Sequence, residues 1–260
     1  MTVYSFEDGE AYEQFMGPWS SEVGKAFLTW LQAPTAAHWL DVGCGTGILT
    51  ELICGSCAPT SVTGVDVVEA QIAHARRVRK LREAQFRLAD AQALSFPDAS
   101  FDVVVSALVM NFIPDRMRAM LEMRRVARAG GLIAACVWDF AAELSPSAPL
   151  RRAMRSIGID PPPVPGTNAS RLSVLADLFQ QAGLNGVTTT SFGVAVSFRN
   201  FDDFWASQTP SYAPTTKVIA ALSRRDRQAL TEAVRANLQS LPGGLGYSGQ
   251  ANAVQGRRAT

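Results

Sequence analysis

The stretch Asp41-Val42-Gly43-Cys44-Gly45-Thr46-Gly47 joins a short apolar run, His38–Val42, to the helical pattern that follows it. Glycine at alternate positions lets the backbone turn tightly and approach a bound nucleotide, because no Cβ stands in the way. The dinucleotide fingerprint G-x-G-x-x-G would need glycine where this chain has Ile48, and no Gly-Lys-Ser/Thr follows, which excludes a P-loop. By itself the loop is a weak signal, so its context matters.

Short apolar runs alternate with helical periods along the first half of the chain, which predicts a parallel sheet wrapped by helices. A basic helix, Glu69–Arg82, is predicted after the second strand. Its Arg and Lys side chains are more typical of a helix face exposed to solvent than of a surface that binds nucleic acid. A later helix is predicted from the helical spacing of Met117, Met120 and Leu121, and it is expected to end at Gly130-Gly131. The predicted strands are His38–Val42, Ser61–Asp66, Gln85–Asp90, Phe101–Ala107 and Leu132–Trp138.

The pattern changes after Trp138, where proline-rich stretches predict an irregular insertion over residues 141–170. A strand, Val187–Phe198, separates it from a second, helical insertion over 200–241. Ser223 and Asp226 form an S-x-x-D cap for the last helix of that insertion. Its apolar stripe suits core packing or a lid over a pocket.

Acidic residues follow two further predicted strands. Asp66 ends the second strand, about 20 residues beyond the glycine loop, where a carboxylate can bond both hydroxyls of a ribose. Asp90 ends the third, where it could accept a hydrogen bond from an exocyclic amine. Either residue alone would suit a helix N-cap. Three consecutive strands ending in such groups favour a nucleotide crevice.

Composition narrows the class of protein. The chain has 260 residues, of which 47% are hydrophobic and 18% charged, and this length suits one large domain. Its net charge of +1 gives no electrostatic attraction to nucleic acid or to an anionic membrane. The longest apolar run, Phe101–Ile113, falls short of the ~20 residues that span a bilayer. The first ten residues carry no Lys or Arg, so no secretory n-region is expected. These features predict a cytoplasmic protein without membrane insertion.

The four cysteines are expected to be free thiols in such a protein. Cys54 and Cys57 form one C-x-x-C, but the chain has no second one and only two histidines, His38 and His74. A structural zinc site needs four nitrogen or sulfur ligands at characteristic spacing. No metal is therefore expected, and each histidine is expected to be structural or solvated.

Four segments in order, DVGCGTG (41–47), GVD (64–66), LADAQALSFPDASFDVVVSALVMNFIPD (88–115) and MRRVARAGGLIAACVWDF (123–140), resemble the motifs of class I S-adenosylmethionine-dependent methyltransferases. The likeness is to the ubiquinone-biosynthesis-type (methyltransferase type 11) branch and covers roughly Tyr12 to Phe140. It implies a Rossmann-like seven-stranded α/β sheet, mostly parallel, whose antiparallel last strand is placed around Tyr247–Arg257. Residues 1–260 would form one domain, with covering helices over 1–33, the cofactor-binding core over 34–140 and the two insertions as lids.

The resemblance also implies a site for S-adenosylmethionine and its product S-adenosylhomocysteine. By similarity the glycine loop borders the methionine portion, Asp66 holds the ribose, Asp90 and Ala91 recognise adenine, and Ser106 lies near the sulfonium. The N-terminal segment would fold over the cofactor, with its aromatic residues against the sulfonium or in plain packing. The implied cofactor contacts are Asp41, Gly43, Cys44, Gly45, Gly47, Asp66, Val67, Asp90, Ala91, Ser106, Tyr12 and Trp19.

The acceptor is expected to be a small, partly apolar molecule with an oxygen, carbon or nitrogen nucleophile. Met110-Asn111 stands where the family often has a histidine pair, so no catalytic base is assigned, and in-line transfer would rest on holding the nucleophile ~3–3.5 Å from the methyl. Asp139 is the best carboxylate candidate for a base, although a helix cap or a loop hydrogen bond suits it better. The expected acceptor contacts are Asn111, Trp138, Trp205 and Tyr212.

Two other functions stay open at this point. A binding protein could keep the cofactor crevice without transferring a methyl group, and a nicotinamide-dependent oxidoreductase is disfavoured by Ile48. Methylation of a macromolecule is also open: balanced charge argues against nucleic acid as the substrate but leaves protein substrates possible. Oligomeric state does not follow from the sequence.

Overall fold

The computed structural model describes residues 9–211, 213–241 and 244–260, with the side chains of 9–14 and 241 left out. The strands are β1 His38–Val42, β2 Ser61–Asp66, β3 Gln85–Leu88, β4 Phe101–Ala107, β5 Ala127–Trp138, β6 Leu184–Phe198, β7 Gln239–Leu241 and β8 Gly244–Arg258. The helices are α1 Gly9–Leu31, α2 Ile48–Ser56, α3 Glu69–Ala75, α4 Arg116–Val126, α5 Ala148–Ser156, α6 Leu172–Gln181, α7 Phe201–Gln208, α8 Pro214–Ala220 and α9 Arg224–Ala236.

One sheet runs through the molecule in the order β3-β2-β1-β4-β5-β8-β6. The pairs β1–β2, β1–β4, β2–β3 and β4–β5 are parallel, whereas β8 runs antiparallel to both β5 and β6. This confirms the predicted mostly parallel sheet with an antiparallel last strand. The short β7, which pairs with β8 off this path, was not predicted.

The central strands are buried on both faces, as their nearly continuous apolar sequences require. In β4, Val103 and Val105 pack into the core shared with α1 and α2, while Val104 faces the core that α4 and α6 cover. Helices therefore lie on both sides of the sheet. The carboxyl ends of β1, β2 and β4 remain together at one edge, where loops leave the parallel strands.

The predicted helix Glu69–Arg82 is too long. The helix ends after Ala75, and Val78 is extended at φ −69° and ψ 116° before a 3₁₀ turn over Arg79–Leu81. Because of this break, the side chain of Leu81 points inward and packs with Phe86 in a small core, beside Gly47. Burial of Leu81 thus overrides the helical propensity of the basic segment.

The predicted helix end at Gly130-Gly131 was also wrong. Helix α4 stops at Val126, and the glycine pair lies inside β5, where the pairing with β4 shifts register. Gly130 has φ +72°, and a Cβ on Gly131 would lie 2.8 Å from the carbonyl oxygen of Arg128. The two glycines therefore allow an irregularity in the strand and do not cap the helix.

The two insertions pack against each other into one helical unit. Helices α5, α7, α8 and α9 share a core of Leu150, Met154, Phe201, Phe204, Ile219, Leu230 and Val234. The predicted Ser223 cap is confirmed, because its hydroxyl accepts a hydrogen bond from the backbone N–H of Asp226 at 3.1 Å. None of the helices among the described residues is long and apolar enough to cross a bilayer.

Candidate active site

The glycine loop at the end of β1 uses its three glycines differently. All three have positive φ, at +77° for Gly43, +53° for Gly45 and +93° for Gly47. A Cβ on Gly43 would come within 2.6 Å of Val109, and one on Gly47 within 2.6 Å of Leu81. At Gly45 the nearest described atom would be 3.9 Å away. Two glycines thus permit close packing, and only Gly45 presents an open backbone surface.

Asp66 organises this loop. One carboxylate oxygen accepts from the backbone N–H of Gly45 at 2.9 Å, and the other accepts from the N–H of Val68 at 2.9 Å. Burial raises the pKa of Asp66 above its ordinary value, and these backbone bonds oppose that rise. A carboxylate has about four lone-pair positions, so both oxygens keep capacity for ligand hydroxyls.

Asp41 lies fully buried beneath the loop and accepts a 2.7 Å hydrogen bond from the hydroxyl of Thr50. Burial raises the pKa of Asp41 to about 7, against the opposing effect of Thr50 and with a smaller contribution from Asp66. Cys44 is also buried, and burial raises the pKa of its thiol. Both side chains therefore support the loop from inside the protein.

Asp90 follows β3 and is exposed. Its carboxylate accepts from the backbone N–H of Gln92 at 2.8 Å and from the side-chain amide of the same residue. These hydrogen bonds, the backbone one foremost, lower the pKa of Asp90, so its carboxylate is ionised at neutral pH. Ala91 is partly buried beside it. Val67, just beyond β2, is 68% exposed.

Two buried polar atoms at the end of β4 lack a hydrogen-bond partner among the described residues. They are the hydroxyl of Ser106 and the side-chain oxygen of Asn111. The amide nitrogen of Asn111 donates to the carbonyl of Pro165 at 3.2 Å, in the first insertion. Because that carbonyl can only accept, the orientation of the Asn111 amide is fixed with its oxygen turned elsewhere.

The predicted tryptophans lie in two different cores. Trp19 and Trp138 pack edge to face at 5.8 Å with 0% and 2% exposure, and Tyr247 lies 5.3 Å from Trp19. Trp205 stacks on Phe201 at 5.8 Å within the helical unit of the insertions. Tyr212 and the side chain of Tyr12 lie outside the described residues, so their predicted contacts stay predictions.

Asp139 makes loop hydrogen bonds, one of the two structural roles that the sequence favoured for it. It is 8% exposed, and its carboxylate accepts from the N–H of Ala142 at 2.9 Å and from the amide of Gln250 at 3.4 Å. His38 lies at the amino end of β1, with its ring bonded to Ser61 at 2.8 Å, at the opposite edge of the sheet. This position excludes His38 as a base at the carboxyl ends of the strands.

Sequence reasoning missed three features of this edge. Phe112 and Phe140 follow β4 and β5 and meet edge to face at 6.4 Å, both partly exposed. Their places in the segments that follow two predicted strands were the available signal. Gln92 was missed because nothing in a single sequence links it to Asp115. The side-chain oxygen of Gln92 accepts a hydrogen bond from the backbone N–H of Asp115 at 3.0 Å.

Across the described residues no group of acidic, histidine or cysteine side chains could hold a metal ion.

Comparisons with known proteins agree with this geometry. Residues 40–135 match the family described as "Methyltransferase domain". The chain is 36% identical over 133 residues to a phosphatidylethanolamine N-methyltransferase of Cereibacter sphaeroides, over 46% of this chain and 63% of that protein. It is 31% identical over 143 residues to a trans-aconitate 2-methyltransferase of Variovorax paradoxus, in an alignment that covers 55% of this chain and 52% of that protein. The chain thus spans less than two thirds of these curated relatives.

Solved structures show the same fold at low identity. The YcgJ protein of Bacillus subtilis superposes with a TM-score of 0.60 at 16% identity, over 92% of this chain and 99% of that one. Phosphoethanolamine N-methyltransferase 2 of Haemonchus contortus, solved with S-adenosyl-L-methionine, superposes with a TM-score of 0.60 at 16% identity. The superposition covers 99% of this chain and 58% of that one. At such identities the likeness shows a shared fold alone.

Proposed function

We propose that this chain, which carries a class I S-adenosylmethionine-dependent methyltransferase domain over residues 40–135, methylates a small, partly apolar acceptor. The cofactor is S-adenosylmethionine. One observation carries the proposal. The open backbone of Gly45, the carboxylates of Asp66 and Asp90, and the hydroxyl of Ser106 all lie at or just beyond the carboxyl ends of parallel strands, at one edge of the sheet. That hydroxyl is buried and has no hydrogen-bond partner within the described part of the chain. Ligands of open α/β sheets bind outside this edge.

The residues present fit the cofactor. Gly45 leaves room for close approach of a ligand to the backbone, and Asp66 keeps lone pairs for ribose hydroxyls. The exposed Val67 offers an apolar surface for the adenine ring, and the ionised Asp90 offers an acceptor for its amine. The buried hydroxyl of Ser106 has no partner among the described residues, so a ligand could satisfy it.

S-adenosylmethionine, when bound, supplies an electrophilic methyl group on a positively charged sulfonium. The contribution of this chain is then orientation. Asp66 and Asp90 hold the nucleoside from two strand ends, and the loop around Gly45 holds the other end of the cofactor. Holding two reacting groups in a productive geometry can remove several kcal/mol, up to roughly 10, from a barrier.

No general base is assigned to the proposed reaction. Among the described residues, Asp139 is engaged by Ala142 and Gln250, and His38 lies at the far edge of the sheet. The acceptor should therefore have a nucleophile that is already anionic, such as a phenolate or stabilised enolate, or a neutral amine with a free lone pair. Rate should follow the pKa of the acceptor more than that of any protein group.

The acceptor would lie between the strand ends and the insertions. Phe112 and Phe140 supply an apolar surface after β4 and β5, and Asn111 supplies a buried oxygen that can accept an N–H or O–H. The Asn111–Pro165 hydrogen bond ties this surface to the first insertion. Trp205 is proposed as a further wall from the second insertion.

Calorimetry with S-adenosylhomocysteine, followed by incubation with methyl-labelled S-adenosylmethionine, tests the proposal. The acceptor panel should include an ethanolamine lipid and trans-aconitate, after the names of the two curated relatives, together with hydroquinones, phenols and simple amines. Transfer of label to one of them supports the proposal. Tight binding without transfer to any acceptor would favour a non-catalytic binding protein, and binding of NAD but not S-adenosylhomocysteine would favour an oxidoreductase.

A further inference from the structure

Gln92 uses every one of its polar groups to connect the loop after β3 with the start of α4. Its backbone N–H and side-chain amide donate to Asp90, the latter at 3.0 Å to each carboxylate oxygen. Its side-chain oxygen accepts from the backbone N–H of Asp115 at 3.0 Å, and its backbone carbonyl accepts from the Nε of Arg118 at 2.9 Å. Asp115 in turn caps α4 by accepting from the N–H of Arg118 at 2.9 Å.

The orientation of the Gln92 amide follows from its partners. An ionised carboxylate only accepts hydrogen bonds, and a backbone N–H only donates. The amide nitrogen must therefore face Asp90 and the amide oxygen must face Asp115, because a flipped amide would lose all three side-chain bonds. A single arrangement of the carboxylate is selected before any ligand binds.

Two donor nitrogens of Gln92, in its backbone N–H and its side-chain amide, already make three hydrogen bonds to the carboxylate of Asp90, two of them on one oxygen and one on the other. With about four lone-pair positions in all, the less occupied oxygen keeps one for an additional donor. We propose that Gln92 is a positioning residue that presets Asp90 to accept the exocyclic amine of adenine and anchors it to the first turn of α4. The inference rests on the proposed function, since it presumes that Asp90 meets the cofactor's base.

Base selectivity is the property that follows from this arrangement. An ionised carboxylate attracts an amine N–H and repels a carbonyl oxygen, so the site should accept adenine and reject hypoxanthine, in which a carbonyl replaces the amine. Loss of Gln92 would let Asp90 adopt other rotamers. Binding of adenine would then include the cost of ordering the carboxylate, whereas hypoxanthine, which lacks the exocyclic amine that Asp90 would bind, would be less affected.

The test compares S-adenosylhomocysteine with S-inosylhomocysteine by calorimetry on the full chain. For the unchanged protein we expect roughly 10- to 150-fold tighter binding of the adenine ligand, as for a hydrogen bond to a charged group. Gln92→Glu keeps an oxygen for Asp115 but sets a second carboxylate against Asp90, and Gln92→Ala removes both contacts. Both variants should lower the selectivity ratio at least fivefold, through the adenine ligand.

Gln228→Glu is the matched control, because Gln228 also donates to a carboxylate, Glu232 at 3.1 Å, but on α9. It should leave the ratio unchanged. A merely structural defect in either Gln92 variant would weaken both ligands together and leave the ratio unchanged, which would overturn the inference. Wild-type binding of both ligands with equal affinity would also overturn it. Failure of the wild type to bind S-adenosylhomocysteine at all would instead overturn the proposed function.

Discussion

Replacing Asp41 by Asn should change how the stability of the protein depends on pH. Asp41 is 1% exposed, and burial raises its pKa from an ordinary value of 3.8 to about 7. Folding therefore takes up a proton at this carboxyl. A group with a raised pKa in the folded protein adds stability that is fully present below pH 3.8 and is lost as the pH rises through about 7.

The magnitude follows from linkage between protonation and folding. A change from 3.8 to about 7 corresponds to about 4 kcal/mol in all, of which about 2.5 kcal/mol is lost between pH 5 and pH 8. Asn cannot ionise and keeps a side-chain oxygen for the hydroxyl of Thr50. The free energy of unfolding of Asp41→Asn, relative to wild type, should therefore rise by about 2.5 kcal/mol from pH 5 to pH 8.

Urea denaturation followed by tryptophan fluorescence at both pH values measures this change. Asp160→Asn, at an exposed carboxylate, controls for the loss of one charge. Thr50→Val offers a second variant: it removes the hydrogen bond that opposes the raised pKa, so the loss of stability should move to higher pH. A difference between Asp41→Asn and wild type that stays within about 0.5 kcal/mol at the two pH values would refute the reasoning.

Three further predictions concern the crevice and the insertions. In urea unfolding, Gly43→Ala should destabilise the fold more than Gly45→Ala. Both changes cost about 1–2 kcal/mol because φ is positive, but only a Cβ on Gly43 meets Val109. Adding Val109→Ala should remove part of the difference and no more, since it removes the two methyl groups but leaves the Cβ of residue 109 at 2.9 Å. Asp66→Ala should weaken S-adenosylhomocysteine by roughly 1.5–3 kcal/mol in calorimetry, and unchanged affinity would remove Asp66 from the ribose site. Trp205→Ala should raise the acceptor KM roughly five- to thirtyfold while the S-adenosylhomocysteine Kd stays constant; a weakened Kd would argue against a role confined to the acceptor.

Local patterns were enough to predict the order and type of the core elements. Glycine at alternate positions after β1 and apolar runs such as Phe101–Ala107 reflect backbone freedom and burial on both sheet faces, which a residue carries wherever it lies. The carboxylates of Asp66 and Asp90 could be predicted for the same reason. Asp66 ends β2 and Asp90 lies two residues beyond β3, and parallel strands end at one edge of a sheet.

Boundaries that depend on distant contacts could not be predicted. The segment after Ala75 has helical propensity, yet the helix stops there because Leu81 packs beneath Gly47, more than thirty positions earlier in the chain. The glycine pair at 130–131 suits a helix end by composition, yet it serves an irregularity in β5 that depends on pairing with β4. Propensity is a small energy per residue, and packing overrides it.

Roles that arise from partners distant in sequence required the folded arrangement. The three glycines after β1 are equivalent as a pattern, but Val109 and Leu81 divide them into two packing positions and one open surface. Gln92 is one polar residue among many until Asp115 lies 3.0 Å from its side-chain oxygen. A sequence records which hydrogen-bonding groups exist, whereas their pairing depends on distances that folding alone establishes between remote parts of the chain.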